Sequence, residues 1–456
     1  MSTTFQTLNP ATEKVLETYS YISNEEIGHR IDETHSAWQQ WRNSSFSERA
    51  RHLRRLAEIL REEKTTLGHL ITSEMGKPLE QSVAEIEKCA WVCEYYAENS
   101  EKFLQSQHIK TDASESYIAY APMGVVFAIM PWNFPFWQVF RFLAPALMAG
   151  NAGILKHAPG TTGCGLKIAE LTRKAGFPKK LFQTIAIDIP QVEQVISNPK
   201  ITGVTLTGST KAGRSVAALA GKYLKKTVLE LGGSDPYVIL DDADLDLAAN
   251  ECVAGRFLNT GQSCIAAKRF IVTEKNHDSF TQKVLHLIQE KGFGDPLNSP
   301  SLGSMARSDL RDQLHHQVTK SIIAGAECLT GGFIPETTGN FYPATLLTQV
   351  RKGMPAFDEE LFGPVAVIIE AKDEEEAIAL ANDTEYGLGS AVFSQDTRKA
   401  RDIAEYQLAA GSSFVNTFVK SDPRLPFGGI KSSGYGRELS LIGITEFVNI
   451  KTIYIK

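Results

Sequence analysis

Val125-Val126-Phe127-Ala128-Ile129-Met130 is an unbroken apolar run, and Ala152-Gly153-Ile154-Leu155 is a second one further along the chain, ended by Lys156. Neither alternates with polar residues as a half-wet strand would, so both read as short strands buried on two faces. The wider apolar segments around them, residues 121–131 and 142–155, are too short to cross a bilayer and are interrupted by prolines and glycines. They suit parallel strands with a helix between them.

Working outward, strand-like segments at 182–186, 202–206 and 227–231 continue this series. A second series follows Gly232, at 237–240, 269–272, 365–369, 390–393 and 413–416, with helical patterns such as 373–381 between strands. Strands alternating with helices mark βαβ units and parallel sheets, so the fold class is α/β. The architecture repeats; the sequence does not, and no segment is of low complexity.

Toward the N-terminus, the first hundred residues read as helix upon helix. Ser23 with Glu26, and Ser45 with Glu48, are capping-box pairs, and the second opens a run with Leu53, Leu56, Ile59 and Leu60 on one face. A further helical stretch covers 79–104. Residues 109–120 and 448–455 alternate instead, as strands do. So regular a C-terminal edge needs a neighbour, which argues for at least a dimer.

At 456 residues the chain exceeds one ordinary core, so two or three domains are expected. With 43% hydrophobic and 22% charged residues the composition is that of a soluble globular protein, and a net charge of −6 with interspersed signs excludes a nucleic-acid footprint. Residues 1–7 have neither a charged n-region nor an apolar h-region, so a cytoplasmic protein without a membrane anchor is expected. The six cysteines form no CxxC pair and no histidines cluster, so neither a metal site nor a disulfide framework is expected.

Chemistry concentrates in two segments. Asn259-Thr260-Gly261-Gln262-Ser263-Cys264 displays one thiol on a glycine-softened turn. Leu229-Glu230-Leu231-Gly232-Gly233 ends an apolar run in a carboxylate followed by paired glycines, a strand exit that lifts Glu230 off the sheet as a base for that thiol. Gly208-Ser209-Thr210-Lys211-Ala212-Gly213 follows a strand and opens a helix, where backbone N–H groups and the Ser209 hydroxyl can meet phosphate oxygens. Alone, such a segment is more often just an N-cap.

Together with Pro131-Trp132-Asn133-Phe134-Pro135, Glu360-Leu361-Phe362-Gly363-Pro364, Asn416 and Pro426-Phe427-Gly428-Gly429, these segments resemble, in order and over nearly the whole chain, the NAD(P)-dependent aldehyde dehydrogenase superfamily. Asn9-Pro10-Ala11-Thr12 near the start resembles the short bacterial-type succinate semialdehyde dehydrogenases. The resemblance implies two Rossmann-like three-layer αβα domains and a small oligomerisation β-sheet. Residues 1–104 and 123–230 would form the NAD(P)-binding domain, 231–446 the catalytic domain, and 105–122 with 447–456 the oligomerisation segments of a homodimer or homotetramer.

It also implies roles. Cys264 would be the nucleophile, Glu230 the general base and Asn133 the oxyanion donor. Trp132, Lys156, Gly208, Ser209, Gly213, Leu231, Glu360 and Phe362 would line the cofactor, Glu360 on the nicotinamide ribose. NAD-preferring members place a glutamate where this chain has Pro159, so use of either NAD or NADP is expected, and His157 could assist phosphate binding. Arg141, brought to the mouth of the substrate pocket by the helix after Pro135, and Ser421 would hold a carboxylate on the aldehyde. The second arginine of such enzymes is here Leu258, for which Lys420 could compensate. The expected reaction is oxidation of succinate semialdehyde to succinate. The alternatives are a neutral short-chain aldehyde, or a non-enzymatic binding protein with the same fold.

Overall fold

The computed structural model describes residues 4–456; residues 1–3, part of the N-terminal segment read above, lie outside the described residues. Two largely parallel sheets organise the chain. The first has the order Gly434–Tyr435, Lys226–Glu230, Ile201–Thr207, Val125–Met130, Ala152–His157 and Phe182–Thr184. All its neighbours are parallel except the antiparallel edge Gly434–Tyr435. The two apolar runs lie side by side, Val125 beside Ala152 through Met130 beside His157. Ala152–His157 is buried at every position, the reason it shows no alternation.

The second sheet has the order Glu327–Thr330, Thr345–Thr348, Val365–Ala371, Ala267–Thr273, Asp235–Ile239, Gly389–Phe393 and Ser412–Val415, with only the first strand antiparallel. The expected strands are all present. Thr345–Thr348, Glu327–Thr330 and Gly434–Tyr435 escaped the sequence, being short and, at the edges, partly wet. Gly434–Tyr435 belongs to the 231–446 stretch yet pairs with Leu229 and Glu230 of the first sheet, so the two sheets share chain.

Three helices fall where capping and periodicity place them, at Asn24–Trp41, Phe46–Glu62 and Leu79–Phe103, with Ser23 and Ser45 accepting from the N–H groups of Glu26 and Glu48. The chain does not begin in helices, however. Thr4–Leu8 and Val15–Ser20 form an antiparallel hairpin, turned at Asn9, whose Oδ1 accepts from Ala11 and Thr12. Residues 109–120 and the C-terminus do not await separate partners: Val448–Ile455 pairs antiparallel with Glu115–Pro122 along its length. Gln107–His108 covers the far side of Glu115–Pro122, leaving Val448–Ile455 as the outer strand with Ile450 and Tyr454 exposed.

In the first sheet the chain runs one way from Val125–Met130 through Phe182–Thr184, then returns to add Ile201–Thr207 on the other side. Ligands of open α/β sheets bind outside the carboxyl ends of the strands at such a reversal. Here those ends lead into Pro131-Trp132-Asn133 and Gly208-Ser209.

Candidate active site

The thiol-bearing turn is strained and held from all sides. Asn259 (φ 56°), Thr260 (φ 55°) and Gly261 (φ 73°) are three successive left-handed residues, a conformation costing a side-chain-bearing residue about 1–2 kcal/mol. Such geometry persists only when its surroundings over-determine it. Asn259 donates its N–H to Gln81 Oε1 (2.8 Å) and its Nδ2 to Asn133 O (2.8 Å), while Thr260 Oγ1 accepts from Gly303 (3.0 Å). The buried Arg256 guanidinium donates to the carbonyls of Leu361, Gly363 and Val365, tying this turn's helix to the Glu360–Pro364 loop. Arg256 was not singled out in the sequence, where one arginine in a helix carries no signal.

Cys264 follows, lining two cavities at once. One, of about 190 Å³, is walled by Phe134, Trp137, Ile265, Phe418 and Phe427, with Glu85, Lys88, Arg141 and Ser421 among its polar residues. The other, about 430 Å³, is the groove at the strand reversal, lined by Trp132, Gly208, Ser209, Leu231, Glu360 and Phe362. Burial pushes the Cys264 thiol up to about 12, with Arg141 and Lys268 pulling down against it. Lys268, buried, donates to the carbonyls of Ser263 (3.0 Å) and Cys264 (2.7 Å) and lies 3.4 Å from the Glu360 carboxylate. It too is missing from the sequence reading. Asn133, 4% exposed, donates Nδ2 to Gln262 O at 3.1 Å; an amide nitrogen has two hydrogens, so one donor remains.

Glu230 is not lifted off the sheet. It is the last residue of its strand, paired with Thr207 and Gly434, 2% exposed, and neither carboxylate oxygen has a hydrogen-bond partner. Its backbone successors Leu231 and Gly232 face the groove, whereas Oε1 packs so close to Gly428 that a Cβ there would sit 2.7 Å away. Burial, and then the neighbouring Glu438 carboxylate, raise its pKa well above the ordinary value, against the pull of Arg141 and Arg437.

Arg141 is neither at a pocket mouth nor on a surface. It is 2% exposed within the wholly buried helix Trp137–Met148, with Nε 2.6 Å from Glu438 Oε2, an ionic contact without hydrogen-bond alignment. Its Nη2 donates to Thr207 Oγ1 at 3.4 Å and its guanidinium lies over the Phe427 ring. Ser421 is buried and accepts from Lys88 Nζ (2.9 Å) and Trp137 Nε1 (3.2 Å). Leu258 and Lys420 also line this cavity, Lys420 exposed above the Phe418 ring.

The groove fits a dinucleotide. Ser209 caps the helix Thr210–Lys222, accepting from Ala212, so the first N–H groups of that helix open on the groove, as phosphate sites require. Gly213 lies against Leu231, where a Cβ would collide with its methyl groups. Glu360 accepts from Gly233 N–H (3.0 Å), and the Trp132 and Phe362 rings meet edge to face at 5.7 Å. Lys156 is buried at the end of its strand, its pKa lowered by burial and partly restored by Asp188. His157 is structural: Nε2 meets Pro135 O (2.9 Å), Nδ1 accepts from Ala158 N–H and Thr161, and burial lowers its pKa to about 4. Pro159 is exposed and opens a short 3-10 turn.

Among the described residues no group of three or more His, Cys, Asp or Glu could hold a metal ion, and no helix is long and apolar enough to cross a membrane. The chain is 46% identical over 98% of its length to a Synechocystis protein named "Probable succinate-semialdehyde dehydrogenase", of the NADP(+) type, covering 99% of that protein. It is 44% identical, over 98% of its length and 97% of the relative, to the Escherichia coli NAD(P)+ succinate semialdehyde dehydrogenase. A solved structure of succinic semialdehyde dehydrogenase from Streptococcus pyogenes with NADP+ superimposes with a TM-score of 0.96 at 37% identity, covering 99% of each chain. The aldehyde dehydrogenase family model matches residues 1–453, and the chain belongs to that family.

Proposed function

We propose that this protein oxidises a short, carboxylate-bearing aldehyde, succinate semialdehyde, to its acid with NADP or NAD. The observation that carries the reading is that one thiol, Cys264, lines both the 190 Å³ cavity and the 430 Å³ groove, so a carbonyl bound in the first meets a cofactor bound in the second at that sulfur. Names borne by relatives at 44–46% identity support the choice of aldehyde and cofactor. A cavity smaller than the ~300–1,000 Å³ of drug-sized ligand sites favours a short substrate.

In this reading Cys264 Sγ attacks the aldehyde carbon, and the oxyanion of the thiohemiacetal is met by the Cys264 N–H and the remaining donor of Asn133. A bound nicotinamide would supply the hydride acceptor. Ser209, Gly208 and the helix N-terminus would hold the dinucleotide's phosphates and Glu360 its nicotinamide ribose, with Trp132, Phe362 and Leu231 lining the groove, Gly213 packed against Leu231, and Lys156 at the end of its strand for the adenosine ribose. Glu230, which in its ionised form is a stronger base than an ordinary carboxylate because its pKa is raised, takes a proton from the water that hydrolyses the thioester, and Cys264 departs as the thiolate. To reach that water it must rotate away from Gly428. Ser421, with Arg141 behind it in its ion pair with Glu438, lines the cavity on the side offered to the substrate's carboxylate.

Residues 4–104 and 123–230 would serve the cofactor and 231–446 the acyl chemistry, except for the shared edge strand. The exposed outer strand Val448–Ile455 supports self-association, and the six free cysteines accord with a reducing cytoplasm.

The test is reduced-nicotinamide absorbance with succinate semialdehyde or butanal, each with NAD and NADP. The expected result is a large preference for the semialdehyde, lost for all substrates in Cys264→Ala. Turnover in that variant, or equal use of both aldehydes, would overturn the mechanism or the substrate respectively.

A further inference from the structure

The face of helix Leu79–Phe103 that lines the aldehyde cavity carries Gln81, Ala84, Glu85 and Lys88, spaced at helical repeats. Glu85 is fully engaged: it pairs with Lys77 at 2.6 Å and accepts from the N–H groups of Phe136 and Trp137 at 2.8 and 2.9 Å. Lys88 is not. Its partners are the Ser421 hydroxyl at 2.9 Å and the Trp137 ring, 4.4 Å from Nζ to the centroid, and no carboxylate is in ion-pair contact with it; burial and then Arg141 lower its pKa to about 8, against the more distant Asp422 and Glu85. Arg141, the fully buried cation of this cavity, already faces Glu438, whereas Lys88 is half-buried.

The hydrogen-bond polarity of this corner is decided by Ser421. A serine oxygen has two lone pairs and one hydrogen. Here the lone pairs receive Lys88 Nζ and Trp137 Nε1, so the hydroxyl hydrogen is left to donate. Lys88 keeps further N–H donors and has no acceptor. The free N–H groups of Lys88 and the Ser421 hydroxyl hydrogen together offer a cation and a donor on one side of the cavity, which complements a group that accepts and carries negative charge: a carboxylate. An alcohol or amide terminus can accept but brings no charge to the ammonium, and a methyl terminus would leave these donors unmatched.

We propose that Lys88, oriented by Ser421 and Trp137, is the cation that selects an aldehyde bearing a terminal carboxylate, with Ser421 donating to the same group. This rests on the substrate reading above and adds the residue that decides it. Lys88 takes the part that Leu258 and the solvent-exposed Lys420 do not fill.

The test is the ratio of kcat/KM for succinate semialdehyde to that for butanal, measured on one enzyme sample, so that any misfolded fraction cancels. Lys88→Met should lower the ratio on the order of 10- to 100-fold, as expected for a charge-assisted contact, and should weaken product inhibition by succinate but not by butyrate. Lys88→Arg should recover part of the ratio. Lys420→Met serves as the comparison and should change it little. An undiminished ratio in Lys88→Met, or a fall in Lys420→Met instead, would overturn the assignment. If the wild-type ratio is itself near one, the carboxylate substrate fails first, separating that error from an error about Lys88.

Discussion

Replacing Glu230 with Gln should slow the enzyme and stabilise it together, because the same burial underlies both effects. Both Glu230 oxygens lack hydrogen-bond partners in a fully enclosed site beside a second carboxylate. A buried polar atom without a partner costs about 1–3 kcal/mol, more when charged, and Gln removes the charge while keeping the shape. At roughly 2–4 °C per kcal/mol for domains of 150–250 residues, and less for a longer chain, the melting temperature should rise by a few degrees. The sign of the pH dependence follows from the raised folded-state pKa. Between the ordinary carboxylate value and that raised value the native state binds the extra proton, so wild-type stability falls as pH rises through this window. The stability gap between variant and wild type should therefore widen with pH. On catalysis, no neighbour can substitute: Glu438 faces Arg141, and Glu360 is held by Gly233 and Lys268. The full contribution of a general base, ~10²–10⁴-fold, should be lost from thioester hydrolysis. Stopped-flow absorbance should show one reduced nicotinamide per active site released in a burst, then a slow steady state. A variant that melts lower than wild type at pH 8, or that turns over without a burst at the wild-type rate, would refute the reasoning.

Two further outcomes follow from the same charges. With its thiol pushed up to about 12, Cys264 in the cofactor-free enzyme should react with iodoacetamide at a rate rising tenfold per pH unit from 7 to 10, with no plateau near 8.5 where a free cysteine levels off; a plateau there would show the thiol to be ordinary. Arg141→Met should be destabilised by about 3–5 kcal/mol, the consequence of leaving a buried carboxylate without its cation, and Arg141→Met with Glu438→Gln should recover most of the loss in thermal melts; a double variant no more stable than the single one would mean that the pair is not the source.

All but three of the strands of the two sheets, the capped helices and the glycine turn before Cys264 were legible in the sequence because each is specified within a few residues. Apolar continuity marks a strand buried on both faces, a serine three residues before a glutamate marks a helix start, and a glycine permits the left-handed turn. The hairpin at Thr4–Leu8 escaped because its alternation is short and mostly exposed, and Gly434–Tyr435 because a two-residue edge has no period.

Motif order also singled out Cys264, Glu360 and Ser209, which the structure places in the lining of the groove, Cys264 in that of the smaller cavity as well. It could not tell where a buried charge finds its partner. Arg141 meets Glu438, Lys88 meets Ser421 across 333 residues, and Glu230 turns to Gly428 instead of the groove. Such contacts arise when separate elements pack into one core, and in that low-dielectric interior the nearest charge or donor decides whether a lysine is an ion-pair member or a free cation. Local pattern determined which groups this protein possesses; only the tertiary packing decided which of them remain unpaired and available to a substrate.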